Sequence, residues 1–293
     1  MCAVDWTDPF AVAEVLIENA LIEDEALNDA ASGALAEFGD LPVTCFVNPR
    51  EEIVVAGIDL AALVFSILPG EVRVEIFVEE GRSICAGERM AGIHGPAACV
   101  LRGERIFLNI LCRLCGIATA TFEFVSVCNG IDVEILDTRK TTPGMRALEK
   151  YAVRMGGGVN HRFSLADMAM LKDNHLAAIG GVGNLLPVIG RLRNLDVPIE
   201  VEVDSLQQLR AVTSLLPDRI LLDNMSPNEL REAVALAGNS GIYLEASGGI
   251  TLETVRDVAE TGVNGISVGM LTHSVRSSDI GLDWFYDFDK EPL

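Results

Sequence analysis

The sequence predicts an α/β protein whose larger part is a β/α barrel, or most of one. Three observations carry this. The chain has 293 residues, 49% of them hydrophobic, enough for two domains with cores of their own. From about residue 130 onward, short apolar segments alternate with amphipathic ones, and strands joined by helical crossovers pair in parallel. The alternative is an open doubly wound sheet, but no G-x-G-x-x-G follows the first strand, which weakens its dinucleotide-binding version.

The N-terminal part has a different texture. Over residues 10–38, apolar side chains at Val12, Val15, Leu16, Leu21 and Ile22 alternate with acids in a helical pattern. From about 43 to 101 the spacing predicts a meander of short strands. Val72, Val74, Ile76 and Val78 repeat with period two, and Gly81, Gly87, Gly92 and Gly95-Pro96 mark tight turns. The spacing resembles carrier modules, yet no lysine lies there to hold a lipoyl or biotinyl group. Residues 103–128 predict a long helix with its stripe at Ile106, Ile110, Leu114 and Ile117. Strands are then expected at 133–136, 158–161, 168–171, 199–203, 219–222, 242–245 and 265–268, with helices at 205–215, 227–237 and 252–261.

Charge narrows the function. The net charge is −21, from 22 Lys and Arg against 43 Asp and Glu. Such a chain is poorly suited to tracking a nucleic-acid backbone or an anionic membrane. The charge is uneven: net −14 over residues 1–101, +3 over 102–172 and −10 over 173–293. A basic centre in an acidic chain reads as a pocket for a small, highly charged anion, or more simply as a chance cluster on a solvated face. The N-terminus has no basic leader, and the best apolar run, 60–68, falls short of the roughly 20 residues a bilayer needs. Seven scattered cysteines suit reduced thiols in a cytoplasm. Cys112 and Cys115 have C-x-x-C spacing without a second pair, and read as small core residues rather than a metal or redox site.

In a β/α barrel the reacting groups gather where strands end. The first expected strand ends in Asp137-Thr138-Arg139-Lys140, the second in His161-Arg162, the third in Lys172-Asp173-Asn174-His175. Glu200, Glu202 and Asp204 alternate along the fourth, Asp223-Asn224 close the fifth, Glu245-Ala246-Ser247-Gly248-Gly249 the sixth and Gly269 the seventh. Ser247-Gly248-Gly249 is expected to open a helix and, with Gly269, to cradle a phosphate; two tight turns are the plainer reading. Arginine suits carboxylates and lysine suits phosphate. Glu202 and Asp223, on neighbouring strands, could hold Mg²⁺.

These same residues carry a resemblance. Gly103-Glu104-Arg105, Asp137-Thr138-Arg139-Lys140-Thr141-Thr142-Pro143-Gly144, Asn160-His161-Arg162, Lys172-Asp173-Asn174-His175, Glu200-Val201-Glu202-Val203, Leu222-Asp223-Asn224 and Glu245-Ala246-Ser247-Gly248-Gly249 stand in order. Together, over about 103–272, they closely resemble the quinolinate phosphoribosyltransferase family. The resemblance implies an N-terminal α/β sandwich (1–115, rejoined by the tail 273–293) and a seven-stranded open α/β barrel (116–272). It implies transfer from phosphoribosyl pyrophosphate to quinolinate with loss of CO₂, in de novo NAD synthesis, with Mg²⁺, in a cytoplasmic homodimer. Arg139, Arg162, His161 and Lys172, beside Thr138, would hold the quinolinate carboxylates. Lys140 and Lys172 would face the donor, and Glu202 and Asp223 its ribose and metal. Ser247, Gly248, Gly249 and Gly269 would take the 5′-phosphate, and Arg105 would reach the partner's site. One departure stands out: the family's glycine-rich E-D-x-G-x-G-D-x-T-S stretch corresponds here to residues 23–32, without either glycine or the threonine. Related readings are a paralog acting on another aromatic acid, a non-catalytic phosphosugar-binding protein, and a Schiff-base aldolase using Lys172.

Overall fold

The computed structural model describes residues 4–285. The chain forms two compact units: residues up to 120, 141–157 and from 275 onward make one, and 121–140 with 158–274 make the other. The first contains, in chain order, α1 (Pro9–Glu23), α2 (Ala30–Ala34), β1 (Pro42–Pro49), β2 (Ile53–Val54), α3 (Ile58–Ile67), β3 (Arg73–Ile76), β4 (Ser83–Ile84) and β5 (Ala91–Pro96). Helix α4 (Ala97–Val127) then runs on into the second unit and β6 (Glu134–Leu136). Helix α5 (Arg146–Met155) belongs to the first unit again. The second continues through β7 (Ala169–Leu171), α6 (Asp173–Ala178), α7 (Leu185–Leu192), β8 (Ile199–Val203), α8 (Leu206–Thr213), β9 (Arg219–Asp223), α9 (Pro227–Ala237), β10 (Tyr243–Ser247), α10 (Val255–Ala259), β11 (Gly265–Ser267) and α11 (Met270–His273). Strand β12 (Ile280–Trp284) lies in the first unit. Of the expected N-terminal domain and its tail, residues 1–3, with Cys2, and 286–293 lie outside the described residues.

In the first unit, β12-β1-β5-β3 form an antiparallel sheet, and β2 pairs with β4. Helix α1 starts where Asp8 accepts the Phe10 N–H at 2.9 Å. The helix expected over 10–38 breaks: Glu25 turns left-handed (φ 47°), and Asp29 caps α2 by accepting from Ala31 and Ser32 N–H, each at 3.1 Å. Short acidic side chains compete for backbone N–H groups and favour caps over helix interiors. The expected meander also contains a helix, α3. Its N-terminus is capped by Glu80, which accepts from Gly57 N–H at 2.7 Å and Ile58 N–H at 2.8 Å. That cap arrives from more than twenty residues away, so no local signal marks it. Ile58, Leu60, Ala61, Val64 and Phe65 of α3 are buried, and Phe65 meets Phe107 of α4 at 5.5 Å between ring centroids.

Helix α5 is the part of the expected barrel domain that sorts with the first unit. Its Glu149 is fully buried and accepts from Arg113 Nη2 at 2.8 Å, Thr142 Oγ1 at 2.8 Å and Thr142 N–H at 3.1 Å. Helix α4 is, by length and composition, long and apolar enough to cross a membrane, unlike the shorter 60–68 run; half of its most apolar window is buried within the protein.

The second unit holds a parallel sheet of six strands, in the order β6-β11-β10-β9-β8-β7. Seven were expected. The segment 158–161 contributes one bridge, Val159 beside Leu136, rather than a strand. Two backbone bonds make it: Val159 N–H to Ile135 O at 2.8 Å and Asp137 N–H to Val159 O at 3.2 Å. His161 and Asn160 then turn to Asp137, whose carboxylate takes His161 N–H at 2.8 Å and Asn160 Nδ2 at 2.6 Å. Side-chain bonds therefore replace the ladder that would have extended the strand.

Six cysteines are free among the described residues. Burial, then the Glu104 charge, pushes the Cys45 thiol up to about 12. Burial also raises Cys115, which bonds to Ala56 within the core; the core reading of the C-x-x-C pair holds for Cys115, while Cys112 is only half-buried. Cys85 alone among these six is exposed. Thiol titration of the native protein should therefore lose one rapidly reacting equivalent in Cys85→Ser. Glu149→Ala should strip Arg113 of its buried carboxylate partner and cost about 3 kcal/mol of stability, read as a lower urea midpoint.

Candidate active site

Along a parallel strand alternate side chains point to one face, and here the inward set is polar. Glu200 and Glu202 of β8, Arg219 and Asp223 of β9, Glu245 and Ser247 of β10 and Ser267 of β11 share this parity. Toward the C-terminal ends of the strands, Glu202, Asp223, Glu245, Ser247 and Ser267 of this set border a cavity of about 660 Å³. Its lining includes Thr138, Arg139, Lys140, His161, Arg162, Lys172, Glu202, Asp223, Ser247, Gly248 and Gly249. Asp137, Met170, Leu221, Asn224, Glu245 and Ser267 complete it. A cavity of about 560 Å³ in the first unit, lined mainly by Leu21, Ile22, Leu27, Ile67 and Leu68, offers two carboxylates and no cation to a ligand.

Four cations converge on the larger cavity. Arg139 carries a buried Nε without a hydrogen-bond partner among the described residues. Arg162 is anchored through Nη1 to Met168 O at 3.0 Å; burial and then the Arg139 charge lower its pKa. Lys172 reaches Glu202 at 3.2 Å. Lys140 extends past Gly269, where an added Cβ would stand 3.1 Å from its Cδ, and its carbonyl accepts from Thr272 Oγ1 at 2.8 Å. Thr138 Oγ1 accepts the Lys140 N–H at 3.0 Å and shapes the turn between them. The basic stretch seen in the sequence is not one patch, because Arg146, Lys150 and Arg154 lie on α5 in the first unit. Arg105 is exposed on α4, also in the first unit, and is outside the cavity lining, as is Gly269.

Beneath the cations lies a buried polar layer. His161 Nε2 stands 3.1 Å from Glu200 and 3.2 Å from Glu245. Arg219 donates to Glu245 at 2.7 Å and lies 3.7 Å from Glu200, and Ser267 Oγ donates to the other Glu245 oxygen. Burial opposes charge on His161, and the two carboxylates favour a proton on the ring nitrogen that faces them. The ring's other nitrogen opposes a second proton, since Nδ1 accepts the Arg162 N–H at 2.7 Å. We therefore assign His161 one proton, on Nε2. Burial raises the pKa of Glu200, against the pull of His161 and Arg219. Burial pushes Glu245 the same way, but His161, Ser267 and Arg219 hold it below its ordinary value. His161 thus lines the cavity with Nδ1 bonded to the backbone and Nε2 facing the two carboxylates.

The acids fall into a second group. Glu202 and Asp223, with Asp173, Asp204 and Gln208, border an adjoining cavity of about 360 Å³. These hard oxygen donors suit a magnesium ion that keeps several waters. In Lys172-Asp173-Asn174-His175 the histidine is structural: its Nδ1 accepts the Lys172 N–H at 3.1 Å and caps α6.

The glycine loop departs from expectation in one respect. Helix α10 begins at Val255, after a turn, so Gly248 and Gly249 do not open it directly. The loop offers backbone N–H groups instead. Gly248 is left-handed (φ 99°), and a Cβ there would collide with Asn224 Oδ1. Asn224 is itself left-handed (φ 54°), donates from Nδ2 to Asp223 at 2.7 Å and gives its N–H to Ser247 O at 2.8 Å. The sequence reading places Glu245 at the end of the sixth strand without a role and misses Ser267; the inward parity of β11 brings Ser267 to the cavity.

The chain matches the family described as Quinolinate phosphoribosyl transferase, N-terminal domain, over residues 29–115, and its C-terminal domain over 117–283. It is 44% identical to the Mycobacterium leprae nicotinate-nucleotide pyrophosphorylase [carboxylating], over 94% of this chain and 98% of that one. A probable enzyme of the same name from Bacillus subtilis is 42% identical, with 92% of each chain covered. The solved structure of nicotinate-nucleotide pyrophosphorylase from Francisella tularensis superposes with a TM-score of 0.89 at 32% identity, covering 94% of this chain and 97% of that one.

Gly248→Ala would add left-handed strain of about 1–3 kcal/mol to the collision with Asn224. Inorganic phosphate binding, measured by calorimetry, should weaken by about tenfold or more while the far-ultraviolet circular dichroism is retained.

Proposed function

The chain belongs to the quinolinate phosphoribosyltransferase family, and from that premise we propose how its own residues carry the reaction. It is a decarboxylating phosphoribosyltransferase: quinolinate and phosphoribosyl pyrophosphate give nicotinate mononucleotide, pyrophosphate and CO₂, a step that feeds pyridine nucleotide synthesis. The observation that carries the site assignment is one cavity holding four cations, two strand-end acids and a glycine loop. The cations match a dianionic acceptor and a polyanionic donor.

Arg139 and Arg162 take the two quinolinate carboxylates. The buried Nε of Arg139 supports this, because a buried donor without a partner among the described residues favours an anion. Thr138 and His161 support the arginines from the wall. Lys140 and Lys172 face the donor phosphates, with Ser247, Gly248, Gly249 and Gly269 around the 5′-phosphate. As the bond from ribose C1 to pyrophosphate breaks, positive charge grows on the ribose, and Glu202 and Asp223 stabilise it. The Lys172–Glu202 pair, 3.2 Å apart, keeps both groups fixed before the donor arrives. The pyridine nitrogen bonds to C1, leaving the ring cationic. The electron pair of the C2–carboxylate bond then stays on the ring as CO₂ departs, and C2 takes a proton from solvent.

Glu202 and Asp223, with Asp173 and Asp204 nearby, would hold Mg²⁺ largely through the donor. Bound there, Mg²⁺ would neutralise charge on the leaving pyrophosphate. Arg105, exposed on α4, would enter the partner subunit's cavity in a homodimer. Free thiols and an acidic surface support a cytoplasmic location.

The purified protein with quinolinate, donor and Mg²⁺ should release CO₂ and pyrophosphate in equal amounts. A folded protein that turns over a benzoate or pyridine monocarboxylate instead would favour the paralog reading. Arg105→Ala and Lys172→Ala should each be nearly inactive alone. Mixed and reassembled, they should recover about a quarter of wild-type activity, because half the dimers are mixed and each mixed dimer keeps one intact site. Absence of recovery would count against a shared site.

A further inference from the structure

The buried layer beneath the cavity is not consumed by the chemistry above, and it is continuous. Glu134 accepts from Tyr243 Oη at 2.6 Å. The Tyr243 ring lies 3.9 Å under the Arg219 guanidinium. Arg219 meets Glu245 and Glu200, and these meet His161 Nε2. The column ends where His161 Nδ1 accepts the backbone N–H of Arg162.

The ligand atoms of His161, Glu200 and Glu245 lie within 4.8 Å of one another, a spacing that could suit a metal ion. The Arg162 N–H argues otherwise. A neutral imidazole that binds a metal through Nε2 carries its proton on Nδ1. Here Nδ1 accepts, so Nε2 bears the proton, and a protonated nitrogen between two carboxylates is a hydrogen-bond donor rather than a ligand.

We propose that Glu200 and Glu245 are positioning residues that act through His161 on Arg162. Their charges, 3.1 and 3.2 Å from Nε2, favour the proton on that nitrogen and so select the imidazole tautomer whose Nδ1 lone pair fixes the Arg162 backbone. Met168 O holds the same residue's guanidinium from the other side. Arg162 is then pinned at both ends, aimed at a quinolinate carboxylate; this last clause rests on the functional reading above. The selection needs no contact between Glu200 and substrate: Glu200 is fully buried and is absent from the cavity lining.

Two measurements test it. ¹⁵N-histidine NMR of the substrate-free protein, with His161 identified by its loss in His161→Ala, should show Nε2 protonated and Nδ1 bare. The opposite tautomer would overturn the proposal, and this readout needs no turnover. Kinetics then test the route of action. Glu200→Leu leaves Arg219 its bond to Glu245 and should raise the quinolinate KM about tenfold, the worth of one such hydrogen bond, while the donor KM stays put. His161→Ala combined with Glu200→Leu should be no worse than His161→Ala alone, because both cut the same path. Additive effects, or a rise confined to the donor KM, would overturn it. Glu200→Gln keeps an acceptor oxygen and should give a smaller rise than Glu200→Leu. If Glu200→Leu fails to fold, an equally large rise in Glu200→Gln would count against the proposal. If the wild-type protein does not decarboxylate quinolinate, the functional reading fails and the tautomer result still judges the positioning.

Discussion

Carboxylates removed from water must be met by protons or cations, and the barrel is organised around that requirement. Glu200 and Glu245 are fully buried, which for ionised groups costs several kcal/mol each unless partners are well placed. The partners come from elsewhere in the sequence: Arg219 from β9, Ser267 from β11 and His161 from the segment that replaces a strand. Satisfying two acids thus ties together most of the barrel wall. Asp137 repeats the arrangement under Asn160 and His161. The cations of the cavity stand above an acidic layer, so their geometry is set before any anionic ligand is present.

Much of this was legible in the residues. The strand-helix alternation gave the parallel sheet, and strand β8 and helix α9 fall on the expected ranges 199–203 and 227–237. The polar strand ends gave fourteen residues that the cavity brings together. What failed to read out was non-local. Helix α3 is capped by Glu80 from across the unit, and the short 158–161 segment looked like a strand because Val159 has the apolar character of one. Helix α5 carries the right pattern for a crossover, yet its buried Glu149 finds Arg113 in the first unit. Local pattern reports which face is apolar, and the partner that face chooses is a tertiary fact.

The charge distribution also changes meaning once the chain is folded. Seven of the cations lie between residues 139 and 172, and the sequence presents them as one basic block. The fold divides them between two units, leaving Arg139, Lys140, Arg162 and Lys172 on the cavity. A pocket for polyanions therefore needs few cations when fixed dipoles back them. The acidic remainder keeps the net charge far from zero, which favours solubility and discourages adventitious anions elsewhere on the surface.

The single bridge at Val159 has a consequence for how the chain avoids its own kind. A barrel left unclosed exposes a sheet edge, and a long exposed edge invites another strand to pair with it, the first step toward aggregation. Here the edge strand β7 has only three residues and runs straight into Lys172. On the other side Val159 occupies the Leu136 edge with just enough backbone to close it. The opening is too short to template a neighbour, so the barrel keeps a gap beside its binding groups without presenting a sticky edge to other molecules.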